Sequence, residues 1–267
     1  MIPLGRPVIY QDTYDASLLF PIPRREQRMA LGITDDLPFY GQDAWTLFEL
    51  SWLNAKGKPM VAMADVAIPC DSVNLIESKS FKLYLNSFNQ TIFEDIPAVE
   101  TVLKRDLSKA AGCDVNVHLY DESHTLPIVQ WRGTLLDNLD VVCEEYQVNS
   151  HLLKTNPDHI VSKSCYSHLL KSNCLVTGQP DWGSIQVTYT GPDIDEASLL
   201  QYLVSYRKHN EFHEHCVERI FMDIMEKCKP TTLTVYARYT RRGGLDINPI
   251  RSTSPIKAIK NQRLFRQ

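Results

Sequence analysis

Residues 80–88 read SFKLYLNSF, and residues 198–206 read SLLQYLVSY. The two stretches share a serine, a Tyr-Leu pair, a second serine and a final aromatic residue, all at a constant displacement of 118 residues. A constant displacement over such a distance is typical of an internal repeat. The pattern therefore predicts that the chain contains two copies of one structural unit.

The elements around the two copies follow one order. The first half has strand-like segments 45–53 and 60–68, helical segments 77–88 and 97–111, and strand-like segments 114–120 and 128–136. The second half has strand-like segments 164–176 and 184–189, helical segments 196–208 and 213–227, and strand-like segments 232–239 and 245–252. Periodicity and turn signals thus predict β-β-α-α-β-β in each half. Strands grouped at both ends of a helix pair predict an α+β fold with antiparallel sheets and helices on one face.

The polar segment 149–158, which contains Pro157, is a plausible linker between the halves. We therefore expect one module at residues 1–148 and a second at residues 149–267. A chain of 267 residues with 43% apolar content can form one large or two medium domains with ordinary cores.

Seven cysteines without a C-x-x-C pair suit neither a disulfide framework nor a zinc ribbon. The chain has no apolar run of the roughly 18 residues that a membrane span requires, and Asp12 and Asp15 interrupt the N-terminal apolar segment. These features lead us to expect a cytoplasmic protein.

Charge is distributed unevenly along a chain whose net charge is −4. Residues 238–267 contain eight Lys or Arg residues and one acid, Asp246. Such a basic segment can meet phosphates. For residues 257–266 a solvated tail is an equally good interpretation, whereas Arg241-Arg242-Gly243-Gly244 lies between two strand-like runs and is the stronger candidate.

Residues 172–181, SNCLVTGQPD, carry a thiol seven residues ahead of a carboxylic acid. Gly178 and Pro180 predict a turn that brings Asp181 back toward Cys174. A nucleophile and a proton donor would then meet. Taken singly, Cys174 also fits a buried structural cysteine.

Residues 211–218, EFHEHCVE, place a carboxylate where a helix should carry an apolar side chain. Glu214 lies three and seven residues before Val217 and Phe221, on the face that should meet the core. A charge that faces a core is costly unless something pairs with it. A first-turn glutamate favoured by the helix dipole is the simpler alternative.

The repeat has diverged between its copies. The first half carries ESKSFK at residues 77–82, whereas the matching DEASLL at residues 195–200 lacks both lysines. In exchange, the second half alone carries Cys174, Asp181 and Glu214. We therefore expect one composite site that uses both halves. Ser78, Lys79 and Ser80 would offer helix-start N–H donors and a cation to an anion, unless Glu77 merely interacts with the dipole of an ordinary helix start.

Four motifs follow one another along the chain: ESKSFK at residues 77–82, Cys174 seven residues before Asp181, Phe212-His213-Glu214, and Arg242-Gly243-Gly244. Together they resemble the NADPH-dependent 7-cyano-7-deazaguanine reductases, the nitrile reductases of queuosine biosynthesis in tRNA modification. The resemblance covers nearly the whole chain and is to the long form of that family, which has two tandem tunnelling-fold modules. It implies reduction of the nitrile to the primary amine 7-aminomethyl-7-deazaguanine, with two NADPH, through a cysteine thioimide.

The resemblance also implies roles for individual residues. Cys174 would be the nucleophile and Asp181 the proton donor, consistent with thiolate addition to an electrophilic carbon and protonation of nitrogen. The implied substrate contacts are Ile76, Glu77, Ser78, His213 and Glu214, and the implied NADPH contacts are Ser78, Lys79, Arg242 and Gly243. Because no G-x-G-x-x-G follows a strand here, the cofactor must be held without that fingerprint.

A metal-assisted hydrolase is the main rival, because the tunnelling fold also houses zinc-dependent cyclohydrolases and His213-x-His215-Cys216 resembles a ligand cluster. Helical geometry argues against it, since residues 213 and 216 share a face from which residue 215 points away. We therefore expect no metal.

A nucleic-acid-binding module is the second rival. Only Tyr239 and Phe265 interleave with the basic residues, and the rest of the chain is acidic, so we expect no direct nucleic-acid contact. Exposed sheet edges in the tunnelling fold favour assembly, and we expect a homodimer.

Overall fold

The computed structural model describes residues 10–34, 36–256 and 261–267, and the protein is a mixed α+β structure. The strands are β1 (Pro21–Pro23), β2 (Tyr40–Leu53), β3 (Pro59–Pro69), β4 (Asn74–Ile76), β5 (Asn116–Tyr120), β6 (Thr134–Leu135), β7 (Thr155–Asn173), β8 (Pro180–Ile194), β9 (Thr232–Tyr239) and β10 (Leu245–Ser252). The helices are α1 (Arg25–Ala30), α2 (Ser78–Asn86), α3 (Ile96–Ala111), α4 (Glu196–Val204) and α5 (His213–Cys228). No helix in the described part of the chain is long and apolar enough to cross a membrane.

The chain forms two compact units. The first contains described residues from 1–29, 42–127 and 241–247, and the second contains described residues from 30–41, 128–240 and 248–267. The predicted boundary between residues 148 and 149 falls within the second unit.

In the first unit, β3 pairs antiparallel with both β2 and β5. Burial alternates along β3, which is typical of a strand with one face toward a core. Helix α3 packs against β5. The core combines aromatic and aliphatic side chains from the strands and both long helices, among them Trp45, Val66, Phe81, Tyr84, Leu103 and Leu107. A separate pair, β1 and β4, leads into α2.

In the second unit, β8 pairs antiparallel with β7 and β9, and β9 pairs antiparallel with the end of β10. Helix α4 packs against β7, and α5 packs against β8 and β9. The buried side chains between these layers include Ile185, Val187, Leu199, Val217, Ile220, Phe221 and Val235. This packing places the start of α5 beside the ends of the strands that carry the candidate site.

The sequence repeat corresponds to a repeated set of hydrogen bonds. The Ser80 amide is capped by the Glu77 carboxylate at 2.7 Å, and the Ser198 amide is capped by Asp195 at 2.8 Å. In each copy the tyrosine donates to an aspartate on the next long helix, from Tyr84 Oη to Asp106 at 2.7 Å and from Tyr202 Oη to Asp223 at 2.6 Å. The shared residues therefore start each helix and tie it to its partner helix.

The predicted strand at 128–136 is wrong except for Thr134–Leu135, which pairs in parallel with β7. Ile128 forms only an isolated bridge to Arg263. Gly133 has φ +125°, and a side chain there would lie 2.2 Å from the Ser164 carbonyl oxygen, so the chain cannot follow an ordinary strand path at this point. Strand β7, in turn, begins inside the predicted linker, because its polar start pairs with the end of β8.

Candidate active site

A β-hairpin carries the Cys174 motif. Strands β7 and β8 end at the facing pair Asn173 and Pro180. The Cys174 amide then donates to the Gln179 carbonyl at 2.8 Å, and the Gly178 amide donates to the Cys174 carbonyl at 2.9 Å. Gly178 adopts φ +66°, a conformation that favours glycine. The turn predicted from Gly178 and Pro180 is confirmed.

The hairpin brings the acid back to the strand that carries the thiol. Asp181 lies directly opposite Ser172, two residues before Cys174, and both Asp181 and Ser172 are buried. Cys174 itself is half-buried, whereas Cys70, Cys165, Cys216 and Cys228 are buried. Burial raises the pKa of Cys165 to about 11 and that of Cys228 to about 12, so these core thiols are poor nucleophiles.

The start of α5 lies against this hairpin. His213 Nε2 is 3.6 Å from Asp181 Oδ2, and the imidazole packs edge-to-face on the Tyr239 ring at 4.2 Å. Glu214 follows in the first turn of α5 with 2% of its surface exposed. Asp181 and His213, which come from separate sequence motifs, are therefore neighbours, and Glu214 is as buried as its spacing predicted.

Glu218, a second buried carboxylate on α5, shows the pairing that a buried charge requires. Glu218 accepts from Arg251 Nη2 at 2.8 Å and from Arg251 Nε at 3.1 Å, and both side chains are fully buried. The guanidinium also lies 5.4 Å from the Phe39 ring centroid. Because two hydrogen bonds from Arg251 compensate its buried charge, Glu218 has a structural role.

The metal-like grouping in the structure differs from the one that the sequence suggested. His209, Glu211 and Cys216 each place one possible ligand atom within 4.8 Å of the others. Glu211, however, already accepts two hydrogen bonds from Arg219, at 2.8 and 3.1 Å, and lies 2.9 Å from His209 Nε2. Burial opposes ionisation of Glu211, but these hydrogen bonds outweigh it and lower its pKa to about 2. The carboxylate is therefore an ion-pair partner for Arg219.

In the first unit, Glu77 caps α2. Its two carboxylate oxygens accept from the Lys79 amide at 2.9 Å and from the Ser80 amide at 2.7 Å. The sequence suggested that these amides were available to a bound anion, and they are instead occupied by Glu77. Ile76 is buried at the end of β4, and the side chains of Ser78 and Lys79 are half-buried.

The Arg242-Gly243-Gly244 motif forms a tight turn within the same unit. The Arg242 amide donates to the Leu245 carbonyl at 2.9 Å, and the two glycines have φ +64° and +80°. A side chain on Gly243 would lie 2.8 Å from Lys82 Cδ, so the turn touches the helix that begins at Ser78. Gly243 thus lies beside α2, the helix that carries Ser78 and Lys79, and Arg242 is exposed.

Two family models match the chain. The model described as nitrile reductase, 7-cyano-7-deazaguanine-reductase N-term, matches residues 10–119, and the model described as QueF-like protein matches residues 180–257. A solved structure, the archaeosine synthase QueF-Like in the apo form, aligns with 39% of this chain at TM-score 0.32 and 15% identity, a likeness too weak to support a fold assignment.

Curated relatives match over the full length. A protein of Dechloromonas aromatica (strain RCB) is 56% identical and covers 99% of this chain and 95% of its own. Proteins of Paracidovorax citrulli (strain AAC00-1) and Paraburkholderia phymatum are 54% and 53% identical, with 99% of this chain and 97% and 98% of theirs covered. All three are named NADPH-dependent 7-cyano-7-deazaguanine reductase. This chain belongs to the NADPH-dependent 7-cyano-7-deazaguanine reductase family of oxidoreductases.

Proposed function

We propose that this chain reduces the nitrile of 7-cyano-7-deazaguanine to the primary amine of 7-aminomethyl-7-deazaguanine through a thioimide on Cys174. The observation that carries the proposal is the meeting of the Cys174 hairpin with the start of α5, where Asp181 and His213 lie 3.6 Å apart. Cys174 lies on the hairpin that carries Asp181, and Glu214 follows His213 on α5, so the thiol, the acid and a buried acceptor for the deazaguanine ring come from two adjoining elements of the second unit.

Cys174 begins the reaction by nucleophilic addition. Its sulfur forms a bond to the nitrile carbon, one π bond of the nitrile breaks, and the nitrogen takes up a proton to give the thioimide. NADPH supplies a hydride for each of the two reductions that follow. The carbon–sulfur bond breaks after the first reduction. This step returns the thiolate and leaves an imine, which is the substrate of the second reduction.

Asp181 supplies the proton that the nitrile nitrogen needs. The neighbouring His213 lies within reach to orient the carboxyl group and to replace its proton. Burial of Asp181 keeps water away from the donated proton. In this arrangement the proton reaches nitrogen as the carbon–sulfur bond forms.

Glu214 recognises the deazaguanine ring. A carboxylate accepts at once from the adjacent ring and exocyclic N–H groups, and burial makes an unmatched partner costly. His213, Ile76, Glu77 and Ser78 complete the proposed substrate contacts. Glu77 already accepts two backbone N–H bonds, but a carboxylate has about four acceptor positions, which leaves it capacity for the substrate.

Ser78, Lys79, Arg242 and Gly243 are the proposed NADPH contacts. The turn at Gly243 lies against Lys82 on α2, so two cation-bearing segments adjoin on the first unit. Because backbone amides of Lys79 and Ser80 are occupied, the binding is assigned to side chains and to the exposed turn. The absence of a side chain at Gly243 leaves room for the Lys82 side chain, whose Cδ would lie 2.8 Å from a Cβ at this position.

Lys79→Ala and Arg242→Ala should weaken NADPH more than NADH. Only NADPH has the additional phosphate, and a charge-assisted hydrogen bond to it is worth about 1.5–3 kcal/mol, roughly a ten- to hundred-fold change in KM. Steady-state kinetics with both cofactors measures the difference. Lys104→Ala, on the exposed side of α3, is the matched control and should change neither KM. Equal losses for both cofactors would assign these cations to another part of the molecule or to the fold.

The wider architecture is also a proposal. Two tandem tunnelling-fold modules, at residues 1–148 and 149–267, account for the repeated helix pair with its matching caps and Tyr–Asp bonds.

All seven cysteines are free thiols, which suits a reducing cytoplasm. We further propose a homodimer that makes no direct contact with nucleic acid.

The stoichiometry of the reaction tests the proposed function. Reduction of a nitrile to a primary amine consumes four electrons, so two NADPH should disappear for each amine formed. Cofactor absorbance and product quantified by mass spectrometry give the ratio. A ratio of one would mean that the reaction stops at the imine, and release of ammonia without NADPH consumption would favour the hydrolytic alternative.

A further inference from the structure

Asn173, the residue before the proposed nucleophile Cys174, has all four of its polar groups in hydrogen bonds. The Asn173 amide N–H donates to the His209 carbonyl at 2.8 Å, and the Asn173 carbonyl accepts from the Glu211 amide at 3.2 Å. Its side-chain oxygen accepts from Lys171 Nζ at 2.5 Å, and its side-chain nitrogen donates to Asn210 Oδ1 at 2.9 Å. Three of these four bonds go to one short segment, residues 209–211.

That segment is in turn fixed to α5. Glu211 is buried and accepts both Nε and Nη2 of Arg219, which lies two turns into the helix. His209 Nε2 lies 2.9 Å from the same carboxylate. A bidentate ion pair at a largely buried carboxylate holds its geometry tightly. The backbone that binds Asn173 is therefore held in a fixed position relative to His213 and Glu214.

Lys171 completes the arrangement from the strand side. Its ammonium donates to the Asn173 side chain and also to the Arg207 carbonyl at 2.7 Å, so it links β7 to the end of the segment that follows α4. Two residues of β7, Lys171 and Asn173, thus bind the chain between α4 and α5. Nothing in ordinary strand pairing requires this many side-chain bonds at a hairpin end.

We propose that Asn173 is a positioning residue, which sets the Cys174 sulfur relative to the substrate groups at the start of α5. The inference deepens the proposed function and rests on Cys174 as the nucleophile. Attack on a nitrile carbon requires the sulfur to approach along a narrow range of directions, and a misplacement of about 1 Å can cost roughly 100-fold in rate. Asn173 would thus act on the rate of covalent addition and leave the affinity for the nitrile unchanged.

The test is the rate of adduct formation in Asn173→Leu, which keeps the side-chain shape and removes the side-chain hydrogen bonds to Lys171 and Asn210, while the two backbone bonds remain. Protein and 7-cyano-7-deazaguanine are mixed without cofactor, and intact mass is followed with time. We expect the adduct to form roughly 10- to 100-fold more slowly than in the unmodified protein. The affinity for the nitrile, measured in the Cys174→Ala background, should be the same with and without Asn173→Leu.

Asn149→Ala is the matched control. Asn149 also uses its side chain in a hydrogen bond in the second unit, but its partner is the His151 amide at 3.1 Å, and the bond caps a short 3-10 helix. It should lower the melting temperature and leave the adduct rate unchanged. If Asn173→Leu does not fold, Asn210→Ala provides the test. Asn210 is exposed, and its replacement removes the bond that the Asn173 side-chain nitrogen donates, so adduct formation should become slower.

Any of four results would overturn the inference. Adduct formation in Asn173→Leu at the rate of the unmodified protein would exclude a positioning role, as would an unchanged rate in Asn210→Ala when Asn173→Leu does not fold. A loss of nitrile affinity equal to the loss in rate would make Asn173 a binding or purely structural residue. If the unmodified protein forms no adduct, the proposed function fails and this inference fails with it.

Discussion

Cys174→Ala should abolish both the covalent adduct and turnover, while the protein still binds 7-cyano-7-deazaguanine. Sulfur addition needs a thiol at this position, whereas recognition of the ring is assigned to Glu214 and its neighbours. Intact-mass spectrometry of the mixture measures the adduct, and calorimetric titration measures the remaining affinity. Turnover should fall below detection, the largest effect that we expect from any single change.

Cys143→Ala is the control for that experiment. Cys143 is a half-buried thiol in the same unit, outside the hairpin that carries Cys174. Its replacement should leave the adduct and turnover intact. An adduct that persists in Cys174→Ala, or that disappears in Cys143→Ala, would assign the nucleophile to another residue.

Asp181→Asn should bind the nitrile and lose most of its turnover. The amide keeps the shape of the carboxyl group but has no acidic proton for the nitrile nitrogen, and loss of a general acid typically costs roughly 10²–10⁴-fold in rate. Single-turnover experiments that follow adduct and amine separately would show slow adduct formation and still slower amine formation.

Asp193→Asn is the matched control on the same strand, where Asp193 is half-buried and pairs with Lys163 at 3.2 Å. It should leave the rate unchanged, because this ion pair takes no part in the proposed proton transfer. Turnover of Asp181→Asn close to that of Asp193→Asn would remove Asp181 from the mechanism.

Short-range signals predicted much of the fold and of the site. The repeat located both helix pairs because the serine and tyrosine positions are fixed by bonds to a cap and to the next helix. Gly178 and Pro180 predicted the hairpin turn because their backbone preferences act locally. The helical spacing of Glu214 with Val217 and Phe221 predicted its burial for the same reason.

Other features depend on pairings between distant residues and left no pattern in the sequence. The contact of Asn173, at the end of β7, with residues 209–211 joins two segments that are distant in sequence, and the residue pattern within each segment does not indicate that they meet. The strand predicted at 128–136 was wrong because Gly133, with φ +125°, lies too close to the Ser164 carbonyl oxygen for a side chain, and only Thr134–Leu135 pairs with β7. The occupation of α2's first amides by Glu77 follows from side-chain geometry, which residue spacing alone does not specify.

The most direct test of the mechanism is the intact mass of the unmodified protein mixed with 7-cyano-7-deazaguanine in the absence of NADPH. Addition to a nitrile expels nothing, so we expect an increase equal to the whole mass of the nitrile, located by peptide mapping to Cys174. An unchanged mass, or an increase that is smaller by one ammonia, would contradict covalent addition of the thiol as the first step.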